Sequence, residues 1–379
     1  MSLPRLALLT DYPEERWPSM DLCAEMLGQQ LQAGHSERFN AERFCPPFRR
    51  RLGLLPLLGR RSFGINADRL LNRMWYYPRA VRKNREAFDF FHVCDHSYSH
   101  LVHELPAERT GVFCHDLDTF RCLLQPNQEP RPRWFKGMVR RILSGMQKAA
   151  VVFHTTQTVR QEILACGLID ANRLVQAPLG VAAEFQPETI DPDPVASLLD
   201  ALGGRPFLLH VGSCIPRKRI DVLLDVFAGM QSLHPGLRFI KVGGEWSSAQ
   251  LEQIARLGLE TALHHFQGLN RAQLASLYRR ARLVLVTSEK EGFGIPVIEA
   301  LACGAVVVAS DIPPLREAGG AAQVYAPVGD VSAWTEIISQ LLEGRRIAPN
   351  RADRLAQAEK FSWRNHAAII SQAYARLGR

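Results

Sequence analysis

Two carboxylates bracketing a glycine loop form the densest chemical feature of the chain, Glu291-Gly292-Phe293-Gly294-Ile295-Pro296-Val297-Ile298-Glu299, an E-x7-E spacing. Gly292 and Gly294 allow a ligand to approach the backbone closely. Pro296 suits a first helical turn, and Gly304 suits the residue just past a helix end. Free backbone N–H groups at such a start, around Ile295, suit a phosphate or a polar sugar. One carboxylate can meet sugar hydroxyls while the other meets a ribose diol. A second segment, Gly212-Ser213-Cys214-Ile215-Pro216-Arg217-Lys218-Arg219, is a basic loop following an apolar run. A leaving diphosphate gains negative charge in the transition state, so fixed cations aimed at it lower the barrier. Arginine holds such a group bidentately and lysine as a point charge. A third apolar run, Thr110–Cys114, ends in His115-Asp116.

The elements that must hold these groups follow from the apolar runs. Leu6–Tyr12, Phe88–Cys94, Thr110–Cys114, Ala150–Thr155, Arg173–Ala177, Phe207–Val211, Arg238–Val242, Leu283–Thr287 and Val306–Ser310 are continuous rather than alternating, as in parallel strands buried on both faces. Helical patterns over Met20–Gln32, Trp134–Lys148, Ile220–Met230, Ala249–Leu257 and Gln273–Arg280 lie between them. This βαβα order predicts an α/β protein with parallel sheets. Prolines, glycines and acids over 184–206 predict a linker between an N-terminal domain, 1–183, and a C-terminal domain, 207–362. Two such domains are expected to face a cleft, with ligands at the carboxyl ends of the strands.

EGFGIPVIEALACG resembles the signature of the retaining GT-B glycosyltransferases of the glycogen synthase and sucrose synthase superfamily, family-four branch. The resemblance covers most of the chain and is most specific in the C-terminal half. It implies a GT-B fold of two Rossmann-like domains with parallel sheets facing a central cleft, and a C-terminal helix, 363–379, that returns to the first domain. It implies transfer of a hexosyl-type sugar from a nucleoside-diphosphate sugar to a saccharide or lipid-linked acceptor, with retention, in the synthesis of cell-surface polysaccharide or glycan. Carried onto this chain, Arg217 and Lys218 stabilise the leaving phosphate, Glu291 orients the donor sugar, Glu299 grips the ribose and His115 lines the reaction centre. Many relatives have arginine directly after the loop glycine, where this chain has Ser213, so Arg217 takes that role. Gly212, Ser213, Gly243, Gly268, Leu269, Gly292, Phe293, Gly294 and Ile295 are the remaining donor-side positions. The loop Asp11–Ser19 lacks the family's glycine pair. Trp17, Ser19 and Asp116 are assigned to the acceptor side, with Ser19 as a candidate helix cap.

Asp116-Leu117-Asp118 also spells D-x-D, with which metal-dependent transferases of another fold hold a divalent cation. The basic loop already supplies positive charge, so neither a metal nor a cofactor is expected. A glycoside hydrolase using the two glutamates is disfavoured, because hydrolysis needs neither the Gly-Phe-Gly loop nor the Arg-Lys pair. A nucleotide-sugar epimerase of similar architecture and a non-catalytic nucleotide-sugar binding protein are the remaining alternatives.

The 379 residues suit two domains, and a 46% hydrophobic, 22% charged composition supports two full cores. The formal charge of +8 favours anionic partners. Nucleic acid would explain that charge but not the glycine loop, and is not expected. The eight cysteines lack metal-type spacing, and several sit in apolar runs, as for buried thiols in a reducing cytosol. The N-terminus has too short an apolar stretch for a signal peptide, and no run reaches membrane-spanning length. A cytoplasmic protein is expected. The stretch 45–85 interleaves arginines with leucines, Trp75 and Tyr76, a pattern of anionic membrane surfaces or of a solvated basic face over core leucines.

Overall fold

The computed structural model describes residues 3–15, 17–34, 37–52, 62–188, 193–200 and 203–378. The chain divides into two compact units, Met1–Leu179 with Trp363–Arg379, and Gly180–Ser362.

The first unit is built on a parallel sheet of β1 (Arg5–Leu9), β2 (Asn40–Phe44), β3 (Phe90–Val93), β4 (Thr110–Cys114), β5 (Val151–His154) and β6 (Leu174–Gln176). Their order is β2-β1-β3-β4-β5-β6. Val93, Val112 and Val152 pack with Tyr77, Tyr98, Ile142 and Met146 in one core. The C-terminal helix Trp363–Leu377 belongs to this unit. Its Tyr374 hydroxyl donates to the Phe91 carbonyl at 2.8 Å. A Cβ on Gly111 would stand 2.4 Å from that hydroxyl, so the strand passes beneath the helix only as glycine.

The second unit has its own parallel sheet of β7 (Phe207–Val211), β8 (Arg238–Val242), β9 (Leu263–Phe266), β10 (Leu283–Val286), β11 (Val307–Ser310) and β12 (Val324–Ala326). The order is β12-β11-β10-β7-β8-β9. Both sheets are covered by helices, so the architecture is α/β.

β2, β9 and β12 have no counterpart among the apolar runs. All three are edge strands. A strand paired on one side need not be buried on both faces, and β2 carries Glu42 and Arg43. The stretch 184–206 is not an extended tether where it is described. Phe185 packs edge-on to Tyr278 at 5.9 Å. Asp193 accepts from Ser276 at 2.5 Å and pairs with Arg280 at 2.5 Å. There the acid expected of a solvated linker serves as a structural partner.

Each sheet has one place where the strand order reverses. In the first, the chain leaves β1 towards β2 and later resumes at β3, on the other side of β1. In the second, β7 is followed by β8 on one side, while β10 pairs on the other. Loops diverge at such points and leave a crevice at the strands' carboxyl ends.

Candidate functional site

The β7/β10 reversal gathers most of the expected chemistry of the second unit. The loop after β7 forms a short turn, Pro216–Lys218, and Arg219 then enters the helix Ile220–Leu233 at φ 48. A left-handed backbone is disfavoured for arginine by about 1–2 kcal/mol. Its guanidinium is held by Asp221 at 2.9 Å and Glu289 at 3.3 Å. The two loops are also stitched directly. Thr287 Oγ1 donates to the Lys218 carbonyl at 2.9 Å, and the Glu289 N–H donates to the Arg217 carbonyl at 2.9 Å.

This stitching brings Lys218 Nζ to 2.5 Å from Glu291 Oε1. Ser288 Oγ donates to the same oxygen at 2.7 Å, and Arg217 Nη1 lies 3.8 Å from Oε2. Burial alone would raise the Glu291 pKa, but Lys218 and Arg217 hold it below the usual carboxylate value. Glu291 is therefore an ionised group fixed by two cations and a hydroxyl. An ammonium carries three donors, so the bond to Glu291 does not exhaust Lys218.

The loop after β8 backs this site. Gly243 and Gly244 both have positive φ, 85 and 47. A Cβ on Gly244 would lie 2.7 Å from the Cys214 nitrogen and 2.8 Å from Ser213 Cα. The Gly212-Ser213-Cys214 backbone is thus packed directly against glycine. Lys241, fully buried in β8, donates from Nζ to the Gly244 carbonyl at 2.5 Å and lies 5.0 Å from the Trp246 ring centre. Gly268 and Leu269 follow β9, with Gly268 at φ 69, before Asn270 caps the helix Arg271–Arg280.

The glycine loop ends at Gly294, φ 111, which is the N-cap of the helix Ile295–Ala302, with Pro296 in its first turn. Gly304 follows that helix at φ 75, as a helix stop requires. Phe293 is buried, with its ring edge-on to Phe361 at 5.4 Å, so this residue offers a ligand backbone and not an aromatic face. Glu299 is buried on the helix and accepts from the Tyr278 hydroxyl at 3.1 Å. Burial pushes its pKa up to about 8; the Tyr278 bond and Arg271 offset this only in part.

The N-terminal positions lie in the first unit. His115, buried at the end of β4, bonds through Nε2 to the Cys94 carbonyl at 2.9 Å, which makes Nε2 the donor nitrogen and leaves Nδ1 as acceptor. Burial lowers its pKa, so the ring is neutral. It borders a cavity of about 10 Å³ shared with Cys23, Cys94, His92 and His366, space for about one water. The Asp116 carboxylate accepts from the Asp118 N–H at 3.0 Å and so fixes its own turn. Trp17 is half exposed. Ser19 is not the cap. The helix starts at Pro18, and the Trp17 carbonyl accepts from Met20 at 2.9 Å. Proline's fixed φ and missing N–H suit the first helical position, which moves the cap to Trp17.

Several residues of this environment escaped local sequence reading. Lys241 had a signal, a lone charge inside a run buried on both faces. Tyr278 and Ser288 had none, because helix and strand patterns absorb them.

Among the described residues of 45–85, part faces inward. Asp68, Asn72 and Tyr77 are buried, and Arg73 pairs with Glu15 at 3.6 Å. Ile65, Leu70 and Trp75 are exposed, and the Arg79 guanidinium stacks on Trp75 at 3.2 Å. Leu54, Leu55, Leu57, Leu58, Arg60 and Arg61 lie outside the described residues. No helix among the described residues is long and apolar enough to cross a membrane.

Residues 199–360 match the family of glycosyl transferases group 1. The O-antigen chain mannosyltransferase B of Escherichia coli is 29% identical over 334 residues, covering 85% of this chain and 82% of that one. The serotype-specific mannosyltransferase WbdA of Escherichia coli is 30% identical over 301 residues, 74% of this chain but only 36% of WbdA. Among solved structures, sucrose-phosphate synthase from Thermosynechococcus elongatus superposes with a TM-score of 0.76 at 18% identity, over 99% of each chain. Anabaena HepE in complex with UDP-glucose gives 0.71 at 18% identity, over 98% of each. At these identities the structural matches establish the fold, and that fold is GT-B.

Proposed function

From the match of residues 199–360 to the glycosyl transferases group 1 family, we propose that the chain transfers a hexosyl residue, mannosyl foremost, from a nucleoside-diphosphate sugar to a saccharide or lipid-linked acceptor in polysaccharide synthesis, with retention of configuration. The observation that carries this reading is the Lys218–Glu291 contact at the β7/β10 reversal, beside a glycine loop that opens a helix. Lys218 and Arg217 stabilise charge on the departing diphosphate. Glu291, held ionised by those cations, orients the donor sugar through its hydroxyls, and Glu299 binds the ribose. The N–H groups around Gly294 and Ile295 receive a donor phosphate or sugar hydroxyl. His115, neutral and fixed by Cys94, lines the reaction centre. The fixed cations supply the charge that a metal would, so activity is expected to survive EDTA.

A thermal-shift screen over nucleoside-diphosphate sugars tests the donor: one that binds the folded state raises Tm. The expected result is a shift with GDP-mannose, followed by NMR detection of an α-linked product formed from the α-configured donor. An inverted product would overturn retention. A donor altered at a sugar carbon without any acceptor would point to epimerisation, and binding without turnover on a broad acceptor panel to a non-catalytic role.

We extend the same reading to location. Exposed Ile65, Leu70 and Trp75 beside Arg79 support contact of this segment with an anionic membrane surface from the cytoplasmic side. The protein should co-sediment with vesicles containing anionic lipid and not with neutral ones. Equal recovery from both would remove the electrostatic attraction.

A further inference from the structure

Three strands of the second sheet place polar side chains side by side. His210 on β7 is the register partner of Lys241 on β8, and Lys241 is that of His265 on β9. Register partners in a parallel sheet project from the same face, so the three form one row. The row lies just before the turns at Gly212 and Gly243. A parallel sheet is covered on both faces and normally carries apolar side chains there, so a row of bases is out of place.

Each member holds a backbone carbonyl. His210 Nδ1 donates to Leu285 at 2.9 Å, Lys241 Nζ to Gly244 at 2.5 Å and His265 Nε2 to Gly243 at 3.1 Å. Both carbonyls of the Gly243-Gly244 turn are therefore fixed from this row. The turn itself fixes Gly212–Cys214. A Cβ on Gly243 would lie 3.2 Å from the Gly212 carbonyl oxygen, beside the still closer approach of Gly244 to Ser213 and Cys214. Cys214 Sγ donates to the Gly244 carbonyl at 3.6 Å, and Gln250 Nε2 donates to the Cys214 carbonyl at 3.2 Å.

Charge sets Lys241 apart from His210. The imidazole is neutral, because burial, and then Lys218 and Lys241, lower its pKa to about 4. Lys241 is 0% exposed, and its neighbours are the Gly244 carbonyl, the Cys214 thiol and the Trp246 ring. Among the described residues no carboxylate pairs with it, whereas Lys218 is paired with Glu291. Burial pulls the Lys241 pKa down, and Cys214 opposes this. A buried cation without a counter-ion is costly, and methionine would fill the same space without that cost. Holding a carbonyl needs a donor and not a charge. The charge gains a partner when an anion settles on the loop, and away from water that attraction is weakly screened.

We propose that Lys241 is a positioning residue for the donor diphosphate, presenting an unmatched positive charge behind Gly212–Cys214 through the turn it holds. This rests on the donor site proposed above and adds to it a cation that acts without touching the substrate. Arg217 and Lys218 act from the loop itself, and Lys241 acts from the strand beneath. Its charge acts on the diphosphate in the bound donor and in the transition state alike, so it governs donor binding more than turnover.

Calorimetry on the full chain with GDP and with guanosine tests this. Lys241→Met keeps the length of the side chain and removes its charge. GDP is expected to bind the variant about tenfold more weakly, and guanosine as tightly as it binds wild type. With GDP-mannose, KM should rise by a similar factor and kcat change by less than about threefold. Lys241→Gln, which keeps a donor for the Gly244 carbonyl without the charge, should show the same GDP loss and replaces Lys241→Met if that variant folds poorly. GDP affinity equal to wild type in either folded variant overturns the proposal and leaves the donor reading standing. Equal weakening of GDP and guanosine overturns it as well, because a displaced loop and not a lost charge would then be at work. Should wild type fail to bind GDP, the donor reading fails and this inference with it.

Discussion

Lys218→Ala is expected to lower kcat by about 10²–10³-fold while shifting donor KM far less, because the ammonium acts mainly on charge that develops as the diphosphate departs. The structure adds a second consequence. Lys218 neutralises Glu291, which is 8% exposed. Removing one partner of a buried pair costs about 3–5 kcal/mol when nothing else compensates. Arg217, 3.8 Å from Glu291, remains, so the loss should fall at or below the lower end of that range. The sign with pH follows from the depressed Glu291 pKa. The pair's stabilisation is present above the unfolded carboxylate value near 4.5 and disappears as pH falls through the lower folded value. A double variant separates the two effects. Lys218→Ala with Glu291→Gln removes the orphaned charge, so urea unfolding should recover much of the lost stability while kcat stays low. Full kcat in folded Lys218→Ala, or kcat restored in the double variant, would take Lys218 out of the chemistry.

The backbone of the candidate donor side was largely legible because its signals are local. Gly294 must adopt φ 111, Pro296 can only enter a helix near its start, and Arg217 and Lys218 stand in a loop directly after an apolar strand. Residue type therefore reports backbone position there. The pairing that gives those residues meaning was not local. Lys218 and Glu291 are 73 residues apart and meet because β10 is laid beside β7. The same logic holds in the first unit. Asp95-His96 ends β3 much as His115-Asp116 ends β4, but only the sheet order brings it beside Asp11. Phe293 shows the converse limit. Its position in the loop was readable, but the direction of its ring was set by Phe361. β2 and β12 escaped for a simpler reason, since a strand paired on one side need not be buried on both faces, although β6, also at an edge, kept a readable apolar run.

Glu299 carries a large pH effect. Its pKa of about 8 arises from burial and leaves the carboxyl mostly protonated at neutral pH. For an acid raised from 4.5 to about 8, the folded state keeps a proton that the unfolded chain releases, so stability falls as pH rises through that window. The full loss is on the order of 5 kcal/mol. Glu299→Gln mimics the protonated form and can still accept from Tyr278, so it should escape this decline. Urea midpoints at pH 5 and pH 8.5 should move together for the variant and apart for the wild type. Binding should show the opposite trend. If the ionised carboxylate grips the ribose diol, donor Kd falls by about tenfold per pH unit towards pH 8 and then levels, since only the deprotonated fraction competes for the ligand. Guanosine, which carries no phosphate to titrate, reads this by calorimetry. The slope should be absent in Glu299→Gln and in wild type binding 2′,3′-dideoxyguanosine. A wild-type slope that persists with the dideoxy ligand would mean that Glu299 senses the base or the fold, and its assignment to the ribose would fail. A flat wild-type profile with a normal stability difference would mean that the protonated acid itself holds the diol as a donor.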